Sequence, residues 1–87
     1  MNETPKTIGS NIERLRLARG IGQDDLAGML NVTQSYVSQI ESGARVDIKG
    51  STIRRFAKAL GVTDNDITDG VEYPPSPAER RRRHVRK

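Results

Sequence analysis

An all-α domain of five short helices is the architecture this sequence predicts, and three observations carry that prediction. Apolar residues from Ile8 to Leu60 recur three and four positions apart, and no stretch alternates with period two. A residue that tolerates left-handed backbone follows each run, at Gly20, Asn31, Gly43, Gly61 and Gly70, where a helix would stop. Hydroxyl side chains that favour helix starts stand ahead of most runs, at Thr7 or Ser10, Thr33, Ser51 and Thr63. At 87 residues with one Phe, two Tyr and no Trp, the chain makes one small domain with an aliphatic core.

The elements follow in order. Ile8, Ile12, Leu15 and Arg19 mark one face of a first helix, capped by Thr7 or by Ser10 with Glu13 and ended by Gly20. A second helix runs from Gln23 to Leu30. Asp24 and Asp25 complement the dipole in its first turn, and Leu26, Ala27 and Leu30 face inward. The tight break at Asn31-Val32 leads to Thr33, which caps a third helix from Gln34 to Ser42 with Val37 and Ile40 as its apolar positions. A loop from Ala44 to Gly50 precedes a fourth helix, capped by Ser51 and ending at Leu60-Gly61. Its Ile53, Phe56, Ala57 and Leu60 keep the i, i+3, i+4, i+7 pattern. Thr63 with Asp66 reads as a capping box opening a short fifth helix that extends through Asp69. Leu17 and Met29 fall off the inner faces.

Residues 1–70 thus form the helical domain, and residues 71–87 a Pro-rich linker and basic tail. Tyr73-Pro74-Pro75-Ser76-Pro77 is stiff and extended, and Ser76-Pro77-Ala78-Glu79 carries the signature of a helix start. A terminal helix from Pro77 to Lys87 and disorder in the free chain are equally compatible with so few apolar residues. The charge divides along the same boundary. Residues 1–70 carry nine Lys/Arg and nine Asp/Glu, whereas residues 71–87 carry six and two, so the whole net charge of +4 belongs to the tail.

Composition removes several function classes. With no Cys and a single His in the tail, disulfides, thiolate metal sites and a His-based metal site or triad within one chain are excluded. Neither a glycine-rich phosphate loop nor paired carboxylates on a pocket-forming scaffold are present, so no catalytic residue, metal or cofactor is expected. The opening MNETPKT is not a charged-then-apolar leader and no apolar run is long enough to span a bilayer, so a cytoplasmic, nucleoid-associated location is expected.

The pair Gln23–Leu30 and Gln34–Ser42, joined by a short turn, has the form of a helix-turn-helix. The surrounding motifs make the match specific: I-x3-I-x2-L-R-x2-R-G from Ile8 to Gly20, then G-Q-D-D-L-A-x2-L-N-V-T-Q-S-Y-V-S-Q-I-E-S-G, then I-x2-F-A-K-A-L-G-V. Over about residues 8–69 the chain resembles the phage repressor and Cro helix-turn-helix family, which includes restriction–modification controllers, stress regulators and some antitoxins. The resemblance implies a compact, repressor-like five-helix DNA-binding domain whose third helix enters the major groove of double-stranded DNA. It departs from the family pattern at Gly22, where Ser or Thr often caps, and at Asn31, where Gly is frequent; both replacements are compatible with their backbone roles.

What the resemblance implies about individual residues can then be weighed against their chemistry. Gln34, Ser35, Ser38 and Gln39 are the expected base contacts, because they lie on the outer face near the start of the third helix. Glutamine can bond adenine through N6 and N7 together, and no Arg or Lys on that face offers strong guanine readout, so adenine-containing half-sites are expected. Gln23, at a helix N-terminus, and Arg45, after the third helix, are the expected phosphate contacts. Tyr36 either meets the DNA backbone through its hydroxyl or packs its ring against the second helix. Arg16 and Glu41 occupy positions where the family forms an ion pair between helices 1 and 3, a structural role. Arg80, Arg81, Arg82 and Arg83 suit a DNA arm, a solvated tail or the start of a linker in a longer protein.

The leading expectation is a dimeric, sequence-specific transcriptional regulator, a repressor on an inverted-repeat operator. Ile67, Val71 and Tyr73, near the end where family dimers meet, are the expected two-fold contact. The alternative is an antitoxin or protein-interaction module that holds a protein partner through its C-terminal tail and also binds its own promoter.

Overall fold

The computed structural model describes residues 6–45 and 48–71. Its helices are α1 (Ile8–Ala18), α2 (Gln23–Leu30), α3 (Gln34–Ser42), α4 (Gly50–Leu60) and α5 (Asp64–Thr68), and no strand occurs among the described residues. No described helix is long and apolar enough to cross a membrane. Tyr73, the expected terminal helix and Arg80 to Arg83 lie outside the described residues.

Local chemistry explains most boundaries. Thr7, not Ser10, caps α1. The Thr7 hydroxyl accepts from the Ser10 N–H at 3.0 Å while the Ser10 hydroxyl accepts from the Thr7 N–H at 2.9 Å, so Ser10 completes the box and has no such role toward Glu13. Asn31 ends α2 in left-handed backbone (φ 60°, ψ 46°), and Gly43 does the same for α3 (φ 87°). Thr63 and Asp66 form the expected capping box of α5, and the hydrogen bonds from the Thr63 backbone and hydroxyl hold the Asp66 carboxyl below its ordinary range. That helix is one residue shorter than expected, with Asp69 as its C-cap. Helix α4 differs more. Its N-cap is Lys49, and no side chain caps it. The Ile53 N–H already bonds the Lys49 carbonyl at 3.0 Å, so the first turn closes ahead of Ser51 and leaves that hydroxyl exposed inside the helix.

The core is the largely aliphatic cluster the spacing predicts, joined by Ile67: Ile8, Ile12, Leu26, Ala27, Leu30, Val37, Ile40, Ile53, Phe56, Ala57 and Leu60 are buried together with it. Each of the larger side chains contributes about 1.5–3 kcal/mol by leaving water. Helix α1 packs on α3 and α5, α2 on α3 and α4, and α4 on α5. Three expectations need correction. Arg19 is exposed, because it stands at the C-cap with non-helical backbone (φ −98°, ψ 2°); Asn11 and Arg16 take the inward positions of α1 instead. Leu15 only half-buries against the cluster. Ile67 is fully buried in the protomer's own core, so it is no surface for a second copy; Val71 remains half-buried.

Two contacts set how α1 meets α3. A Cβ added at Gly9 would stand 1.9 Å from the Ile40 carbonyl oxygen and 2.9 Å from that of Glu41, so the helices approach to a distance only glycine permits. Seven residues on, Arg16 and Glu41 form a bidentate pair: Nε donates to Oε2 at 2.7 Å and Nη2 to Oε1 at 3.0 Å. Both side chains are more than nine-tenths buried. The third arm of the guanidinium, Nη1, donates to the Ile21 carbonyl at 2.8 Å and so holds the loop between α1 and α2. These bonds to Glu41, together with its charge, raise the Arg16 pKa against the opposing effect of burial. On the other side of α1, the buried Asn11 amide donates to the carbonyls of Ile67 (2.7 Å) and Asp69 (3.0 Å), closing the end of α5 against α1.

Gly9→Ala therefore forces a methyl into backbone that cannot yield. We expect a loss of about 3 kcal/mol, seen as a fall of more than about 10 °C in melting temperature. Gly28→Ala, in an exposed part of α2 with nothing within 4 Å of the added carbon, is the control and should gain up to about 1 kcal/mol. Truncating Arg16 or Glu41 alone strands a buried charge and should cost about 3–5 kcal/mol, while Arg16→Met with Glu41→Leu together should recover much of it. Melting the two single variants and the double variant measures the coupling; simple additivity would mean that the residues do not support one another.

Candidate nucleic-acid interface

Helix α3 has two chemically distinct sides. Val37, Ile40 and Glu41 are buried against α1 and α2, whereas Gln34, Ser35, Ser38 and Gln39 are exposed. These four residues line one shallow, solvent-open concavity of about 320 Å³. They are the four that the sequence predicts as base contacts, and the structure brings them together. Thr33 starts the helix by accepting from the Tyr36 N–H at 3.1 Å, so the turn from α2 ends and the concavity begins within a single residue.

The buried ion pair reaches this surface through Gln23, at the start of α2. Glu41 Oε1 accepts from Gln23 Nε2 at 2.9 Å, and Gln23 Oε1 accepts from Gln34 Nε2 at 3.3 Å. The polarity of the chain is chemically forced. A carboxylate bound by a guanidinium accepts and does not donate, so Gln23 must turn its NH2 inward and its oxygen outward. Gln34 must then give an N–H to Gln23, which leaves its oxygen and second N–H at the surface. The amide of Gln23, expected at a phosphate, thus links Glu41 to the start of α3. The N–H of its own backbone opens α2 behind Gly22, which supplies no side-chain acceptor.

At the other end of the concavity, Gly43 reverses the chain so that the Ala44 and Arg45 N–H groups both reach the Gln39 carbonyl, at 3.0 and 3.3 Å. The Arg45 side chain returns as well: Nε donates to Gln39 Oε1 at 3.0 Å, and the guanidinium lies 4.9 Å from the centre of the Tyr36 ring. Tyr36 itself is half-buried and packs against the core cluster. Of the residues named from sequence, Gln34, Ser35, Ser38 and Gln39 share the concavity, Gln23 joins Gln34 to Glu41 and Arg16, and Arg45 joins Gln39 to Tyr36.

Several supports of that surface have no counterpart in the sequence reading. Gly9 carries no signal beyond being a glycine inside an apolar pattern. Asn11 could have been suspected as a polar residue on the inner stripe of α1, one place before Ile12. Arg55, on α4, donates to the carbonyl of Leu30 and so braces the last turn of α2 just before Asn31. Leu17 and Met29 are exposed, at 60% and 54%, as their off-stripe positions predict.

Comparison with known proteins agrees with this arrangement. A helix-turn-helix family matches residues 12–67. The HTH-type transcriptional regulator y4dJ of Sinorhizobium fredii, itself uncharacterized, is 31% identical over 70 residues, spanning 80% of this chain and 90% of that protein. Among solved structures, the master regulator for biofilm formation SinR, in complex with DNA, superposes with a TM-score of 0.68 at 25% identity, covering 72% of this chain and all of that one. The restriction-modification controller protein C.AhdI from Aeromonas hydrophila gives 0.64 at 30% identity, covering 69% and 89%. With five helices in this order, a polar face on α3 and matches of this extent, the chain belongs to the phage repressor/Cro-type helix-turn-helix family of DNA-binding transcriptional regulators, which are not enzymes.

Proposed function

We propose that this protein is a sequence-specific regulator of transcription, acting as a repressor, that binds an inverted-repeat operator as a homodimer with α3 in the major groove. The observation that carries the reading is the single concavity formed by Gln34, Ser35, Ser38 and Gln39 on the side of α3 opposite the core. A major groove about 12 Å wide admits one helix, and these side chains are then the ones that meet base edges. Gln34, with an oxygen and an N–H turned outward, matches the N6 donor and N7 acceptor of adenine. The backbone N–H of Gln23, the Tyr36 hydroxyl and the remaining donors of Arg45 have the chemistry to meet phosphate oxygens.

Size argues for two copies. Nine residues of α3 span about 13 Å, or about four base pairs, too few to single out one operator. A two-fold dimer doubles the site and sets the half-site centres about 10 base pairs apart. Because residues 1–70 are electrically neutral as a group, general attraction to DNA falls to the tail, with Arg80 to Arg83 as an arm along the phosphates. Such a protein works in the cytoplasm, at the nucleoid.

Footprinting on an operator selected from random duplexes should protect two half-sites at that spacing; protection of one half-site by a monomer would refute the dimer. Gln34→Ala should weaken the best site by roughly 1–3 kcal/mol and random DNA little. Deleting Glu79 to Lys87 should weaken all sequences alike and flatten the salt dependence, since each phosphate neutralised adds about 0.9 to the log–log slope. An unchanged slope would instead favour a tail that holds a protein partner, as in the antitoxin reading.

A further inference from the structure

We propose that Arg45 sets the base specificity of Gln39: it fixes the Gln39 amide as a hydrogen-bond donor, so that this position reads guanine while Gln34 reads adenine. The inference rests on the reading of α3 as the base-contacting helix. It departs from the expectation that the amides on this helix favour adenine.

A guanidinium only donates, so the Gln39 atom 3.0 Å from Arg45 Nε must be the amide oxygen. Three contacts hold Arg45 in that place. Its backbone N–H is bonded to the Gln39 carbonyl at 3.3 Å, its side chain to the Gln39 amide, and its guanidinium is seated 4.9 Å from the centre of the Tyr36 ring. One lone pair of the Gln39 oxygen is thereby occupied, and the adjacent cation opposes the approach of a second N–H. The nitrogen end, which donates to no partner among the described residues, is left to face the concavity that Gln39 lines. Gln34 has the opposite arrangement, with its nitrogen committed to Gln23 and its oxygen turned outward.

The two amides, five residues apart on one helix, therefore present different patterns. Adenine offers an acceptor and a donor in the major groove and suits Gln34. Guanine offers two acceptors, N7 and O6, and suits the NH2 of Gln39. Thymine offers one acceptor, O4, and cytosine only a donor. Arg45 is in this sense a positioning residue, and its remaining donors stay available to a phosphate.

The test is a selection from random duplexes with the full chain, followed by titrations of the consensus with each base in turn at the position that responds to substitution of Gln39. The original chain should prefer guanine over adenine there roughly tenfold. Arg45→Met keeps the stem and removes the donor and the charge; it should bring that ratio to within about twofold, with adenine gaining, while the preference opposite Gln34 is kept. Gln39→Glu, an acceptor still able to pair with Arg45, should move the preference to cytosine. Thermal melts check that both exposed substitutions leave the fold intact. If Arg45→Met weakens all sequences equally and only lowers the salt slope, Arg45 is a phosphate contact alone and the inference fails. It fails also if the original chain selects adenine at this position, or if Gln39→Glu leaves the preference unchanged. A chain that selects no sequence at all would refute the reading of α3 itself, an outcome distinct from these.

Discussion

A guanidinium and a carboxylate withdrawn from water govern the rest of this structure. Arg16 lies near the end of α1, and its three arms reach Glu41 of α3 twice and the loop before α2 once. Glu41 in turn holds Gln23, the first residue of α2. Three helices and the loop joining two of them thus meet on one ion pair. Such a pair adds little net stability over an apolar replacement of the same size, because desolvating two charges offsets their attraction. What it supplies is direction. Apolar contacts tolerate small rotations of α3, whereas a bidentate pair closed by a third donor does not.

The same pair determines the hydrogen-bond polarity of the surface. Its charge makes Glu41 an obligate acceptor, which orients Gln23, which orients Gln34. At the far end Arg45 acts on Gln39 in an analogous way from outside the core. A glutamine amide is otherwise ambivalent, since exchange of oxygen and nitrogen leaves its shape unchanged. Cations at either end of α3 remove that ambivalence, although the outer face of the helix bears no charge of its own. Net charge is placed elsewhere in the chain: residues 1–70 are neutral as a group, and residues 71–87 carry the whole positive excess.

Much of this was legible in the sequence, and the rest was not, for physical reasons. The bounds of α2 and α3 agree with expectation because their ends depend on local backbone chemistry, namely Thr33 as a hydroxyl cap and Asn31 and Gly43 in left-handed backbone. The start of α4 differs from expectation because Ser51 is a good cap by type, while the turn is closed by an ordinary backbone bond to Lys49. Ile67 has the composition of an interface residue and the burial of a core residue, and only packing separates the two. The Arg16–Glu41 pair came from family resemblance. Its extension to Gln23, the glycine-only approach at Gly9 and the return of Arg45 onto Gln39 depend on distances between segments, which spacing along one helix does not encode.

The buried charge of Glu41 sets the hydrogen-bond pattern at the surface of α3, and Glu41→Gln is the substitution that removes this charge alone. The substitution keeps size but leaves one oxygen for two corners, one that accepts from Arg16 Nε and one that accepts from both Arg16 Nη2 and Gln23. Gln23 then no longer faces an obligate acceptor, and neither its direction nor that of Gln34 is fixed. The measurement is the ratio of affinities for the preferred and for random duplexes, taken below the melting temperature of the variant. This ratio should fall roughly tenfold, the discrimination of one bidentate base contact, although residue 41 is buried. A folded variant with the ratio of the original chain would contradict it.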